Sequence, residues 1–176
     1  LSFDNNALLR RACDGRDRRT VKVLLGLPPE FGIDPSAAGN EALLNCCNLG
    51  HAHIVRRLLL LPPERGVDPG AHDNAALRSA VWYRARARMD IVRPLLDLPP
   101  SRGVDPAWRR NRILKKAVDR KQVRLVECLL SLPPSRGVRG GPGLLVVAAH
   151  HGDAAMVQVL LQASGSGHPE LVGASG

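Results

Sequence analysis

Four segments of this chain carry the same turn: "LPPEFGIDP" from Leu27 to Pro35, "LPPERGVDP" from Leu61 to Pro69, "LPPSRGVDP" from Leu98 to Pro106, and "LPPSRGVRG" from Leu132 to Gly140. Adjacent prolines remove amide donors and push the preceding residue out of the α region, so they cannot sit inside a helix or a central strand. Each copy must end a regular element. The leading leucines are 34, 37 and 34 residues apart, and recurrence at this period marks a repeat array.

What precedes each turn also recurs: "NNALLRRACDGRDRRTVKVLLGLPP", "NEALLNCCNLGHAHIVRRLLLLPP", "NAALRSAVWYRARARMDIVRPLLDLPP" and "NRILKKAVDRKQVRLVECLLSLPP", then a shorter "PGLLVVAAHHGDAAMVQVLLQAS". An Asn (Asn5, Asn40, Asn74, Asn111) stands just before a pair such as Ala42-Leu43, where its side chain is expected to cap a first helix. That helix carries small residues such as Cys46 and Cys47, Ala80 and Val81, or Ala117 and Val118, and is expected to stop near Gly15, Gly50 and Gly152. A second helix follows, with Ile54-Val55 and Leu58-Leu59, or Leu125-Val126 and Leu129-Leu130, on one apolar stripe. Pro94 fits such a helix if Asp90 caps it, which puts the proline in the first turn.

These residues resemble the ankyrin repeat family. Gly50-His51, Ile54-Val55 and Leu58-Leu59-Leu60 are similar to its "GH..VV..LLL" core, and Gly66-Val67-Asp68-Pro69-Gly70-Ala71 to its "GADVNA" turn, over about residues 4 to 163. The family's Thr-Pro-Leu-His is replaced by forms such as Glu41-Ala42-Leu43-Leu44. The Leu-Pro-Pro segment lengthens the exit of the second helix, while the hairpin before the next Asn is shortened. The resemblance implies an all-α helix-turn-helix solenoid of about five repeats, at 4–39, 40–72, 73–110, 111–141 and 142–163, with 164–176 a flexible tail or the start of a further unit. One helix pair cannot bury its stripe alone, so successive pairs are expected to stack into a shared core with a concave surface. Repeat one has a polar first helix, with Arg10, Arg11, Asp14 and Asp17, as a terminal cap should; repeat five, which lacks the Asn and the Leu-Pro-Pro turn, is expected to be the far cap.

The resemblance also implies that the residues just before the helix-ending glycine face the groove: Cys13 and Asp14, Asn48 and Leu49, Trp82 and Tyr83, Asp119 and Arg120, and His150 and His151. Aromatics make up only 3% of the chain. Finding Trp82 and Tyr83 at such positions, with Trp108 in a predicted hairpin, therefore points to anchors for a partner. The alternative is that the longer third repeat, reading "WYRARARMD" where repeat two has "NLGHAH", tucks these rings under its own turn.

The formal charge of +9 is concentrated in the middle, with eight basic and four acidic residues in 73–110 and eight and two in 111–141. Within it "WRRNRILKK" groups Arg109, Arg110, Arg112, Lys115 and Lys116, with Arg120 one turn on. Such a patch suits an acidic protein surface, RNA phosphates or anionic lipid. The competing explanation is a solvated face in an Arg-rich chain from a GC-rich coding sequence.

No catalytic constellation is found: G-x-x-x-x-G-K-[ST], G-x-S-x-G and H-E-x-x-H do not occur. Gly140-Gly141-Pro142-Gly143 is expected to be a linker at a hairpin position and not a phosphate loop, since no strand precedes it. His51 and His53 near Cys46 and Cys47, or His150-His151, lack the paired spacing of a zinc site. Neither cofactor nor metal is expected, nor a small-molecule substrate. Cys13, Cys46, Cys47 and Cys128 show no C-x-x-C spacing, which favours a reducing, intracellular compartment, cytoplasmic by default. No run approaches the roughly 18 apolar residues of a membrane span. The first residue is not Met and "ASGSGHPELVGASG" closes the chain, which is compatible with a piece of a longer array.

The expected function is therefore a non-catalytic interaction module, a protein-binding scaffold or adaptor that uses the groove of repeats three and four. In it Trp82, Tyr83 and Trp108 anchor and Arg109, Arg110, Arg112, Lys115, Lys116 and Arg120 orient. The alternative is an RNA-associated component held through 73–141; a structural spacer is a third reading.

Overall fold

A computed structural model describes residues 5–82 and 88–165. Among the described residues there are ten α-helices: α1 (Asn5–Asp14), α2 (Arg18–Gly26), α3 (Ala37–Leu49), α4 (Ala52–Leu59), α5 (Ala71–Trp82), α6 (Met89–Leu96), α7 (Trp108–Asp119), α8 (Val123–Leu130), α9 (Pro142–His150) and α10 (Ala154–Gly165). The described residues have no strand, and no helix is long and apolar enough to cross a membrane. By backbone proximity they form two compact units, 5–82 with 88–104, and 105–165.

The helix pairs are held by short-period apolar stripes. Ala42, Leu43, Cys46 and Cys47 of α3, and Ile54, Val55, Leu58 and Leu59 of α4, are all buried. The same i, i+1, i+4, i+5 set is Ala76, Leu77, Ala80 and Val81 in α5, and Ile91, Val92, Leu95 and Leu96 in α6. In the first unit α1 packs on α3 and α3 on α5, while α2 packs on α4 and α4 on α6, so like helices meet. In the second unit α7 meets α9 and α8 meets α10. Small side chains on the first helices let neighbours approach closely, and aliphatic stripes on the second helices supply most of the apolar burial.

The shared turn has a defined path. Its first proline is extended (Pro62, φ −63°, ψ 152°), its second opens one 3₁₀ turn (Pro63–Arg65), and Gly66 closes it in the left-handed region at φ 73°. The same three steps occur at Pro29–Phe31, Pro100–Arg102 and Pro134–Arg136. The next residue, Ile33, Val67, Val104 or Val138, is buried. The 3₁₀ turn thus occupies the lengthened exit, and where a shortened hairpin is expected after it, before the next Asn, the described residues form no strand.

Asp-Pro then starts a second turn. The Asp68 carboxylate accepts the Gly70 N–H at 2.9 Å, and Asp34 and Asp105 accept the Ser36 and Ala107 N–H groups at 2.8 Å each. These are Asx turns, which bend the chain with a side chain in place of a carbonyl. Gly70 admits no side chain, since a Cβ there would lie 2.2 Å from the Gly103 carbonyl oxygen.

Three consecutive left-handed residues follow each Asx turn: Ala38, Gly39 and Asn40; His72, Asp73 and Asn74; Arg109, Arg110 and Asn111. The expected cap role of the asparagine is thus corrected. Asn40 lies at φ 67° and is 5% exposed, and its Oδ1 accepts the N–H of Asp68, in the following turn, at 2.9 Å. Asn6 does the same for Asp34 (2.8 Å) and Asn111 for Arg139 (3.2 Å), so in the first repeat the acting residue is Asn6 rather than Asn5. Asn tolerates the left-handed region better than most residues, and its amide clamps one repeat to the next.

Two further expectations change. The helix-ending left-handed residue is Gly50 or Gly152 as expected, but Arg16 (φ 57°) rather than Gly15, and Lys121 (φ 55°) in repeat four. The residue preceding α6 is Arg88, not Asp90, so Pro94 lies inside the helix. The Asp90 carbonyl that a residue-94 amide would have bonded takes Arg56 Nη2 at 3.5 Å. A side-chain cap does occur at α2, where Asp17 accepts the Arg19 and Thr20 N–H groups at 3.1 and 3.0 Å and the Thr20 hydroxyl at 2.6 Å.

Candidate functional site

The basic segment is sorted by the geometry of α7. Past its left-handed start, the helix buries Ile113, Leu114, Ala117 and Val118. Arg112, Lys115, Lys116, Asp119 and Arg120 are exposed at the complementary i, i+3, i+4, i+7, i+8 positions. The helical period therefore gathers the cations on one stripe. Arg109 and Arg110 precede them in the left-handed turn, both exposed.

The aromatic anchors are placed differently. Trp108 is only 8% exposed, so its ring is not offered to a partner; the Arg109 guanidinium lies 4.7 Å from the ring centroid. Its expected place in a hairpin gives way to the first residue of α7. Trp82, the last residue of α5, is partly exposed and carries the Arg78 guanidinium at 5.6 Å. Tyr83 lies outside the described residues. Of the other groove positions, Cys13 is fully buried, while Leu49 is 41% exposed and Asp14 is exposed, accepting from Asn45 Nδ2 at 3.3 Å.

Three cations line one cleft of about 700 Å³ in the second unit: Arg110, Lys115 and Arg139. Asp119 also lines it, together with the partly exposed Val147 and the nearly buried Leu144 of α9, and Gly140, Gly141 and Gly143. Arg112, Lys116 and Arg120 do not line it. Among the described residues neither Arg110 nor Lys115 is joined to a carboxylate. Arg139 is absent from the expected site; the one signal for it is that the fourth copy of the turn reads Arg139-Gly140 where the others read Asp-Pro. The expected linker, Gly140 to Gly143, leads straight into α9, which starts at Pro142.

Among the described residues no group of three or more His, Cys, Asp or Glu is arranged to hold a metal ion. All four cysteines are free thiols, three of them fully buried. Cys13 and Cys46 share a hydrogen bond that holds the Cys13 thiol below its ordinary range and pushes that of Cys46 up. Burial pushes Cys47 up to about 12. The raised thiols of Cys46 and Cys47 favour the neutral form, and burial keeps all three from reagents in solution. No protein-family model matches the chain, and no curated protein is significantly similar to it.

Proposed function

We propose that this chain is a non-catalytic interaction module, an ankyrin-type α-solenoid of five repeats that binds another protein through the cationic surface of repeat four. The reading is supported above all by the exposed basic stripe of α7, Arg112, Lys115, Lys116 and Arg120, with Arg109 and Arg110 before it. A folded helix gains little from so many like charges on one side, and a field of one sign speeds and orients the approach of an acidic partner. The clamps between turns support a rigid surface, which lowers the entropic cost of binding.

The test is capture of partners from native lysate by the whole chain, in untreated and nuclease-treated halves washed at low and high salt. A set of proteins retained after nuclease and reduced by charge reversal of Arg112, Lys116 and Arg120 supports the reading. Loss of all bound material with nuclease assigns the surface to RNA and overturns it, because phosphate-dominated complexes depend on released counterions and fall steeply with salt.

A further inference from the structure

The turn entering α9 departs from the others at the two positions that define them. Asp34-Pro35, Asp68-Pro69 and Asp105-Pro106 become Arg139-Gly140. An arginine cannot accept the amide bond of an Asx turn, and none of the three left-handed residues follows. The chain instead runs through extended Gly141 (φ −148°) into Pro142. A local stabilising bond is given up and an acid is exchanged for a base. Departures of this kind from a chain's own rule concentrate at functional positions.

The tether between repeats survives the exchange. The Arg139 N–H donates to Asn111 Oδ1 at 3.2 Å, which fixes the backbone of Arg139 beside the start of α7 across 28 residues of sequence. Arg110 and Lys115 lie on the same cleft. Glycines at 140 and 143 stand where all the other turns carry side chains, and Gly141 where two of the three do. Val147, partly exposed, supplies aliphatic surface to the same cleft, with the nearly buried Leu144 beside it in the lining.

We infer that this cleft binds a short acidic segment of a partner protein, with carboxylates on Arg110, Lys115 and Arg139 and an aliphatic side chain against Val147. This rests on the protein-binding reading above and names the chemistry of the partner. Three observations favour a peptide over RNA. No aromatic lines the cleft, and Trp108, the nearest in sequence, is buried, so bases have no stacking platform there. An aliphatic wall serves a peptide side chain and does nothing for phosphates. Asp119, which also lines the cleft, repels a continuous phosphate run, whereas a peptide can meet it with an amide or a basic residue.

The experiment is fluorescence anisotropy of the whole chain with a labelled peptide alternating Glu and Leu, beside a Glu-Ser peptide and a labelled oligouridylate. Binding of the Glu-Leu peptide is expected to be saturable and tighter than that of the Glu-Ser peptide. Lys115→Glu and Arg139→Asp should each weaken it by about tenfold or more. Arg139→Asp restores the residue that the other turns carry, so its loss of binding does not reflect misfolding, and an unchanged melting curve verifies this. Arg124→Glu, an exposed α8 charge outside the cleft, should change affinity by no more than about twofold. Equal losses from Arg124→Glu and the cleft variants, or preference for oligouridylate, overturn the inference. If the peptide fails while proteins captured from lysate persist and ignore Arg139→Asp, the cleft assignment is wrong and the broader reading stands. If neither binds, both fall.

Discussion

Asn40 Oδ1 accepts the N–H of Asp68 at 2.9 Å, joining the start of one helix pair to the turn that begins the next. The acceptor is nearly buried and its backbone is left-handed, so a single residue meets a conformational and a hydrogen-bonding demand together. Asn111 and Arg139 form the same bond in the second unit.

The clamp and a helix cap make different predictions for Asn40. Replacement of a cap by Gly costs only a few tenths of a kcal/mol. Loss of the clamp leaves the Asp68 amide without its acceptor, so Asn40→Gly should cost about 1–2 kcal/mol. Asn40→Ala should cost about 1 kcal/mol more, because alanine is strained in the left-handed region. Urea unfolding of the two variants against the parent checks both numbers.

Arg102 explains the arginine in the repeated turn. Its Nη1 and Nη2 donate to the carbonyls of Leu59 and Val67 at 3.3 Å each, and Arg65 reaches Leu25 and Ile33 in the same way at 3.4 and 3.5 Å. Each fork thus reaches a carbonyl at the end of an earlier second helix, an orphan acceptor by position. A lysine lacks the planar fork that presents two nitrogens to two separate carbonyls. Arg102→Lys should lower stability by about 1 kcal/mol while keeping the charge, measurable as a lower melting temperature with unchanged circular dichroism.

Pro94 has no amide for the Asp90 carbonyl, and Arg56 Nη2 lies at 3.5 Å from that oxygen. Pro94→Ala should stabilise the chain by about 1–2 kcal/mol, below the full proline penalty because the proline also restricts the unfolded chain. Arg56→Ala should then cost less in the Pro94→Ala background than in the parent. A double-mutant cycle measures the coupling.

The thiols should be sharply unequal. Cys13, Cys46 and Cys47 are fully buried and Cys128 partly exposed, so a thiol-specific reagent at mildly alkaline pH should label Cys128 first and the others only on unfolding. Cys47 also carries a sign for pH. Its folded pKa, about 12, lies above the ordinary 9.0, so the stability tied to its neutral form is complete below pH 9 and declines as pH rises toward 12. Replacing it with Ala should flatten that decline in a plot of melting temperature against pH.

At α2 the sign is opposite. Hydrogen bonds from Thr20 and Arg19 hold the Asp17 carboxyl below its ordinary value of 3.8. The stabilisation of the cap is present above that value and is lost as pH falls through the depressed one. Asp17→Asn, which keeps a capping oxygen without the charge, should remove this acid dependence, and the helical signal between neutral and acid pH reads it.

The sequence by itself determined where the helices run and which faces they bury. Ile91, Val92, Leu95 and Leu96 carry a 3.6-residue period, and the Leu-Pro-Pro segment cannot continue a helix whatever surrounds it; both are local properties of the chain. It also located the basic stripe of α7, since exposure there follows from the same period. Only the tertiary structure decided what the recurrent punctuation of each repeat is for. Asn40 reads locally as a cap because its true donor is 28 residues away; the asparagine recurs with the repeat, but nothing near it in the sequence names that donor. Trp108 reads as an anchor until burial reduces its exposure to 8%. Arg139 joins Arg110 and Lys115 on one cleft through packing, with its backbone N–H bonded to Asn111 Oδ1. Local propensities act over one or two turns; partners brought together by packing depend on the whole fold and are set by it alone.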